Sequence, residues 1–326
     1  MRVGINPEKV RGEKNILKQH RVVVIFYIPN IYEEYYKESL SILDYCLNSL
    51  IRTINFDTTC ITLINNNSCS EVNPIINKYI GNNNIDKYVR FDENKGKVYA
   101  AMTEIRGIYE KFVTITDADV LFLNGWEGEV FNIFRDFPKA GVVSPIPGQG
   151  LAFNHNNSVF FDNFFKSKIK YSKLVSDYDC DLFSESLGNK AILNRNNHKY
   201  SWKDKQYYLS NKIKAVIGAP HFVATYRSNI FKNISKFPKM KFKNGYEDFY
   251  LDKPADIKGL YRLSTTKCNA YHMGNRVDLF IKNVKFNKID FIDASLFNKI
   301  GQPRESIAPY RVREFFFKII KRIFRL

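Results

Sequence analysis

The sequence predicts an α/β fold: a mostly parallel sheet flanked by helices, with an insertion in its second half and an amphipathic helix at its C-terminal end. Two patterns carry this expectation. Short continuous apolar runs rich in β-branched residues recur through the first half, and segments with helical periodicity alternate with them. Runs that are apolar on both faces suit strands buried in a parallel sheet, and their alternation with helices is the mark of βαβ units. Size agrees: 326 residues, 44% hydrophobic and 25% charged, supply a sizeable core and exclude global disorder.

The elements follow in order. Residues 21–28 (Arg-Val-Val-Val-Ile-Phe-Tyr-Ile) form the first buried run, stopped by Pro29. A helix comes next, with Leu40, Leu43, Leu47, Leu50 and Ile54 on one face. Residues 60–64 and 87–91 predict the second and third strands. Residues 96–109 predict a helix, and 112–116 a fourth strand running straight into Asp117. Residues 140–144 supply another strand before the turn-rich 145–148. Ligands in such sheets sit beyond the carboxyl ends of the strands, where Pro29, Asn65 and Asp117 project. From 150 to 210 the periodicity fails in a stretch rich in Asn, Lys, Tyr and Ser, so a long excursion with short helices is expected. Order returns with a strand-like run over 218–226, a helix opened by 245–248, and short strands over 260–265 and 268–272.

The formal net charge of +17 points to an anionic partner: nucleic acid, an acidic membrane face or phosphorylated substrates. No RNP-like, helix-turn-helix or zinc-finger pattern is present, so nucleic acid is not the expected partner. No window reaches the roughly 18–20 uninterrupted apolar residues of a spanning helix. Residues 1–19 are polar without an apolar core, so no signal peptide is expected. The five cysteines (Cys46, Cys60, Cys69, Cys180, Cys268) contain no CxxC pair, and their odd number rules out a complete disulfide framework. A reduced, cytosolic protein without a cysteine zinc site is the expectation.

The strongest chemical signal is residues 114–123 (Thr-Ile-Thr-Asp-Ala-Asp-Val-Leu-Phe-Leu). Asp117 and Asp119 stand at i and i+2 between two apolar runs. At the carboxyl edge of a sheet such a pair can hold a hard divalent cation and bridge it to a diphosphate. Without a metal or positive group they are like charges held close at a core margin, which costs energy. Two aspartates in a polar turn fit the motif as well.

With its neighbours, this motif resembles the GT-A glycosyltransferases, especially the inverting family 2. Four landmarks carry the resemblance in order: residues 24–30 (Val-Ile-Phe-Tyr-Ile-Pro-Asn), 64–68 (Ile-Asn-Asn-Asn-Ser), 93–101 (Glu-Asn-Lys-Gly-Lys-Val-Tyr-Ala-Ala) and the D-x-D itself. The resemblance implies a Rossmann-like GT-A domain over 21–275, with a nucleotide-binding half (21–145) and an acceptor-binding half (146–275). An N-terminal extension covers 1–20 and a C-terminal one 276–326. It further implies nucleotide-sugar contacts at Pro29, Asn65, Asn94, Gly96, Lys97, Asp117, Ala118 and His221. A divalent metal, Mn2+ or Mg2+, is expected at Asp117 and Asp119, with His272 as a late ligand. The donor is expected to be UDP-linked and the acceptor a glycan or lipid-linked oligosaccharide. One departure stands out: Asn65 occupies the position where the family usually has an Asp that contacts the nucleobase. An amide can still bond a base edge.

In the acceptor half, residues 245–251 (Gly-Tyr-Glu-Asp-Phe-Tyr-Leu) match the family's Glu-Asp pair. The resemblance makes Asp248 the general base, with Glu247 orienting the site. Capping of the helix is the structural alternative for the pair. His221 and His272 each fit a structural histidine equally well, and Lys95 and Lys97 fit a solvated helix start. A retaining GT-A transferase, a catalytically dead scaffold and a non-catalytic basic protein that binds nucleic acid or a membrane are the rival readings.

The C-terminal segment 311–326 repeats apolar residues at helical spacing: Val312, Phe315, Phe316, Ile319, Ile320, Ile323, Phe324 and Leu326 share one broad face. Arg311, Lys318, Lys321, Arg322 and Arg325 gather on the other. The segment carries six basic residues and one acid, a net of +5 out of +17. Too short and too charged to span, it suits the interface of an anionic leaflet, with the protein peripheral on the inner face of the cell membrane. Docking on the protein's own core is the alternative.

Overall fold

The computed structural model describes residues 3–7, 9, 17–196, 198–232, 234, 236–241, 243, 245–286, 293–303 and 305–324. Its first half alternates strand and helix: β1 (His20–Phe26), α1 (Ser39–Thr53), β2 (Thr59–Asn65), α2 (Asn73–Gly81), β3 (Lys87–Arg90), α3 (Lys97–Ile105), β4 (Phe112–Asp117), β5 (Val120–Phe122), α4 (Trp126–Asp136) and β6 (Ala140–Ser144). The second half adds α5 (Asn157–Asn163), β7 (Ile169–Ser172), α6 (Asp177–Ser186), β8 (Gln206–Ser210), β9 (Lys214–Ile217) and β10 (Val223–Arg227). A π-helical turn (Asp248–Asp252) then runs into α7 (Lys253–Ile257), followed by β11 (Tyr261–Ser264), β12 (Ala270–His272), α8 (Leu279–Asn283), α9 (Ser295–Lys299) and α10 (Tyr310–Phe324).

Ten strands form one sheet in the order β3-β2-β1-β4-β10-β6-β11-β9-β8-β7, and β5 and β12 form a separate two-stranded ribbon. Strands β1 to β4 are mutually parallel, and β6 and β11 run the same way; β10 crosses between β4 and β6 in the opposite sense. The α/β class expected from the sequence is therefore present. The unbroken apolar run of β1 is explained by its two covered faces. Val22, Val24 and Phe26 pack with Leu43, Leu47 and Leu50 of α1, whereas Val23 and Ile25 pack with Val98, Met102 and Ile105 of α3.

The excursion expected over 150–210 is more regular than its sequence suggests. It holds the short helices α5 and α6, and also β7 and β8, which with β9 extend the sheet by antiparallel pairing. β7 alternates half-buried Ile169 and Tyr171 with exposed Lys170 and Ser172, a four-residue pattern too short to register as periodicity. Helix α4, anchored by fully buried Trp126, Phe131 and Phe134, also lies outside the sequence expectation.

Helix α10 docks, which corrects the single broad apolar face read from its sequence. Arg313 is buried and donates to the carbonyls of Asp256 (2.8 Å) and Ile257 (2.7 Å). Phe317 and Ile320 are buried, with the Phe317 ring tilted against that of Phe160 of α5 at 4.7 Å between centroids. Val312, Phe315, Ile319 and Ile323 stay exposed on another face. Arg325, Leu326 and the side chain of Phe324 lie outside the described residues. No helix among the described residues is long and apolar enough to cross a membrane, and all five cysteines are free thiols.

Candidate active site

The D-x-D motif stands where β4 ends. Asp117 is the last residue of that strand, and its N–H donates to the carbonyl of Phe222 (2.9 Å), just before β10. After it the chain turns directly into β5, whose partner β12 sets His272 opposite Val120. The N–H of Met273 donates to the carbonyl of Asp119 (2.7 Å), closing the ribbon. Two residues 153 positions apart in the chain thus meet, with His272 Nε2 3.4 Å from Asp119 Oδ2. The ring of Phe222 packs edge-on against His272 at 5.1 Å.

Lys97, in the first turn of α3, approaches from the other side. Its Nζ lies 2.6 Å from Oδ1 and 2.8 Å from Oδ2 of Asp117. This ammonium offsets the repulsion between the two aspartates. Asp119 has no such partner: its Oδ1 and the Nδ1 of His272 are buried without a hydrogen bond among the described residues. Burial pushes the Asp119 carboxyl up to about 6, with His272 pulling it back and Asp117 adding to the rise. No three His, Cys, Asp or Glu side chains among the described residues are already gathered as a ligand cluster, and Asp117 is turned onto Lys97. The orphaned Asp119 oxygen and the hard oxygen and imidazole donors nonetheless fit a divalent cation.

Two clefts flank the motif. One, of about 190 Å³, is lined by Tyr27, Tyr35, Tyr36, Asp117, Ala118 and Asp119. The other, of about 550 Å³, is lined by Lys97, His221, Lys241, Lys243, Glu247 and Asp248. Lys97 reaches both, touching Asp117 in the first and walling the second.

The remaining expected residues divide into lining and scaffold. Asn65 is buried and engaged at both ends: its Nδ2 donates to the Tyr88 hydroxyl (2.9 Å) and its Oδ1 accepts from the Ser68 N–H (2.7 Å). Asn94 accepts from the N–H of Gly96 and from Asn66 Nδ2, each at 2.9 Å, tying the turn before α3 to the end of β2. Gly96 has φ +80°, and a Cβ there would meet the carbonyl oxygen of Lys241 at 2.2 Å, so this contact demands glycine. Pro29 follows Ile28, and it is Ile28 that lines the first cleft.

Asp248 opens the π-helical turn and faces the second cleft. His155 Nε2 lies 2.7 Å from its Oδ2, and Asn154 Nδ2 donates to its Oδ1 (3.2 Å). Partial burial raises the carboxyl, but the hydrogen bond and charge of His155, with Asn154, outweigh it and hold Asp248 below the usual carboxylate range. His155 has φ +47°, a left-handed conformation uncommon for a side chain. Sequence reasoning missed His155, Asn154, Asp252 and Arg262, since nothing local marks any of them. The tyrosines of the first cleft, clustered at 27, 35 and 36, were a visible signal left unused.

The chain belongs to Glycosyl transferase family 2, whose family model matches residues 34–200. No curated protein sequence matches it. Among solved structures it is similar to a mannosyltransferase, PcManGT, from Pyrobaculum calidifontis, in complex with GDP-Man and Mn2+ (15% identity, 76% of this chain, 54% of that one, TM-score 0.43). It is also similar to residues 1–349 of S. aureus TarS in complex with UDP (16% identity, 77% of this chain, 58% of that one, TM-score 0.42). The chain thus spans little more than half of these proteins, and at such distance they do not bear on its substrate.

Proposed function

We propose that the chain is an inverting, metal-dependent glycosyltransferase that moves a sugar from a UDP-linked donor to a hydroxyl of a glycan or lipid-linked acceptor. The observation that carries this reading is the meeting of Asp119 and His272, each with a buried unpartnered atom, beside an Asp117 already countered by Lys97. Asp117, Asp119 and His272 are the residues that would hold Mn2+ or Mg2+, and Lys97 beside them would face the donor phosphates. When bound, the metal supplies Lewis-acid relief of charge on the departing diphosphate.

The donor enters the cleft of Tyr27, Tyr35 and Tyr36, whose rings suit a flat base, with Ala118 leaving room beside the motif. Asp248 stands in the adjoining cleft as the general base, kept ionised by His155. It takes the proton of the acceptor hydroxyl as that oxygen bonds the anomeric carbon. The carbon–oxygen bond to the diphosphate breaks, its electron pair leaving with the diphosphate, and the configuration inverts. Glu247 orients the acceptor. In a retaining transferase Asp248 would be dispensable.

Membrane association belongs to the same proposal. Helix α10 keeps Val312, Phe315, Ile319 and Ile323 outside the core while Arg313, Phe317 and Ile320 dock it. An exposed apolar stripe beside Arg311, Lys318 and Arg322 suits an anionic leaflet at the inner face of the cell membrane, which is also where a lipid-linked acceptor resides.

Manganese-dependent hydrolysis of UDP-hexoses and UDP-N-acetylhexosamines by the purified protein tests the enzymatic reading. Hydrolysis that needs the metal and is lost in Asp119→Ala supports it. The absence of hydrolysis and of any thermal shift with nucleotide sugars, with or without metal, refutes it.

A further inference from the structure

The second cleft contains a histidine that the reaction above does not use. His221 is the outer end of a chain of three polar groups running into the core. Its Nδ1 lies 3.0 Å from Oδ2 of Asp252, and Oδ1 of Asp252 lies 2.8 Å from Nη2 of Arg262. Asp252 is 1% exposed and Arg262 0%. Arg262 donates to the carbonyls of Asn154 (2.7 Å) and Ala219 (2.6 Å), which hold its guanidinium beside Asp252 as an ion pair. Asp248 and Asp252 are the two ends of a single π-helical turn. Such turns are rare and concentrate at functional sites. This one presents one carboxylate to the cleft and sinks the other behind His221.

The tautomer follows from the pairing. A carboxylate beside Arg262 only accepts, so the ring nitrogen facing it carries the hydrogen. Neutral His221 is then the Nδ1–H form, with its lone pair on Nε2. Nε2 has no hydrogen-bond partner among the described residues, and the ring is 38% exposed in the cleft wall beside Lys97 and Asp248. The other charged groups of the cleft are Lys97, Lys241, Lys243, Glu247 and Asp248. The lysines only donate, so a ligand rich in hydroxyl donors has Glu247, Asp248 and His221 as its acceptors.

We infer that His221 receives a hydrogen bond from a hydroxyl of the saccharide acceptor, and that Asp252 and Arg262 are positioning residues that fix its Nε2 lone pair toward that hydroxyl. The identity of the ligand rests on the glycosyl-transfer reading; the fixed tautomer does not.

The chain has five histidines, few enough for two-bond proton–nitrogen NMR correlations to be assigned by single substitutions. The free protein is expected to show His221 as the Nδ1–H tautomer. In the presence of UDP and Mg2+, methyl glucoside, galactoside, mannoside and N-acetylglucosaminide are then added in turn. At least one is expected to shift the Nε2 resonance, with its dissociation constant raised about tenfold in His221→Phe and the tautomer lost in Asp252→Asn. An Nε2–H tautomer in the free protein overturns the inference, as does an Nε2 signal that no glycoside moves beyond the effect of UDP and Mg2+. Should Asp252→Asn not fold, the wild-type tautomer and the His221→Phe affinity still decide. Because the tautomer is read without nucleotide, a failed donor assay leaves this part of the result standing.

Discussion

Lys97 and Asp117 form a two-point contact: the ammonium lies 2.6 Å from one carboxylate oxygen and 2.8 Å from the other. The pair joins the first turn of α3 to the last residue of β4 and is the main charge compensation at the D-x-D. Lys97→Met leaves Asp117 and Asp119 facing each other unshielded. The metal-free protein is expected to lose about 1 kcal/mol, a fall of about 2 °C in Tm. Mn2+ should restore more stability to the variant than to the wild type, because the cation then replaces a missing charge. Melting curves with Mn2+ and with chelator check this, and an equal metal-induced shift in both proteins would contradict it.

Asp119 gives a pH signature of opposite sign to that of most carboxylates. Its folded-state carboxyl, pushed up to about 6 by burial, binds a proton more tightly than in the unfolded chain, where it is near the usual 3.9. The native state therefore holds more protons between about pH 4 and 6, and the Asp119 contribution to stability falls as pH rises through that window. Asp119→Asn removes the penalty without changing shape. The metal-free variant should melt higher than wild type at pH 8, match it near pH 4, and lose the Mn2+-induced shift at every pH.

His155 sets the ionisation of Asp248 through a 2.7 Å contact. Removing it releases the larger part of the downward pull, so the Asp248 carboxyl rises. In His155→Asn the acidic limb of the rate profile should move to higher pH, with activity near pH 5 falling more than activity at pH 8. Hydrolysis of UDP-glucose, in which water takes the acceptor's place, reports it. Asp248→Asn should lower the same rate by about 10²–10⁴-fold across the range. An unshifted limb in His155→Asn would make the contact merely structural.

The parts of this site legible in the sequence are those on strand ends. Asp117 and Asp119 announce themselves because an apolar run stops on them, and β1, β2 and β4 because both their faces are covered. His272 was reachable only through the resemblance, since its approach to Asp119 depends on β12 pairing with β5, and such short strands carry little signal. Asn65 shows the reverse. Its position matches a nucleobase contact, yet its amide is spent on Tyr88 and Ser68, a use that only the tertiary structure reveals. His155 and Arg262 were invisible because their partners are 93 and 10 or more residues away and no periodicity links them. Helix α4 buries Trp126, Val130, Phe131, Ile133 and Phe134 within eleven residues, but Gly128 and its charged residues interrupt the apolar pattern.

Gly96 packs the turn before α3 against the backbone of Lys241. At φ +80°, with the carbonyl oxygen of Lys241 2.2 Å from where a Cβ would stand, alanine is excluded both by its backbone and by its contact. Gly96→Ala should cost about 1–3 kcal/mol in denaturant unfolding. It should also displace the segment that brings Lys241 and Lys243 to the second cleft. Gly107→Ala, with nothing within 4 Å of its Cβ position, is the control and should leave stability nearly unchanged.

Helix α10 docks on the core through Arg313, Phe317 and Ile320 and leaves Val312, Phe315, Ile319 and Ile323 exposed, so the proposed membrane attachment can be tested apart from the docking. Arg313 donates to the carbonyls of Asp256 and Ile257 and to the Ser158 hydroxyl, so Arg313→Ala leaves these buried acceptors unpaired and should lower stability by about 2 kcal/mol. Phe315 and Ile323 are 66% and 67% exposed, so Phe315→Ser with Ile323→Ser should leave Tm unchanged. If the outer stripe meets a leaflet, the double variant should bind phosphatidylglycerol-containing vesicles about tenfold or more weakly. Binding of the wild type should weaken with salt and vanish on neutral phosphatidylcholine, since Arg311, Lys318 and Arg322 supply its electrostatic share. Equal vesicle binding by wild type and double variant would remove this helix from the membrane contact and leave it as the clamp that Arg313 makes of it.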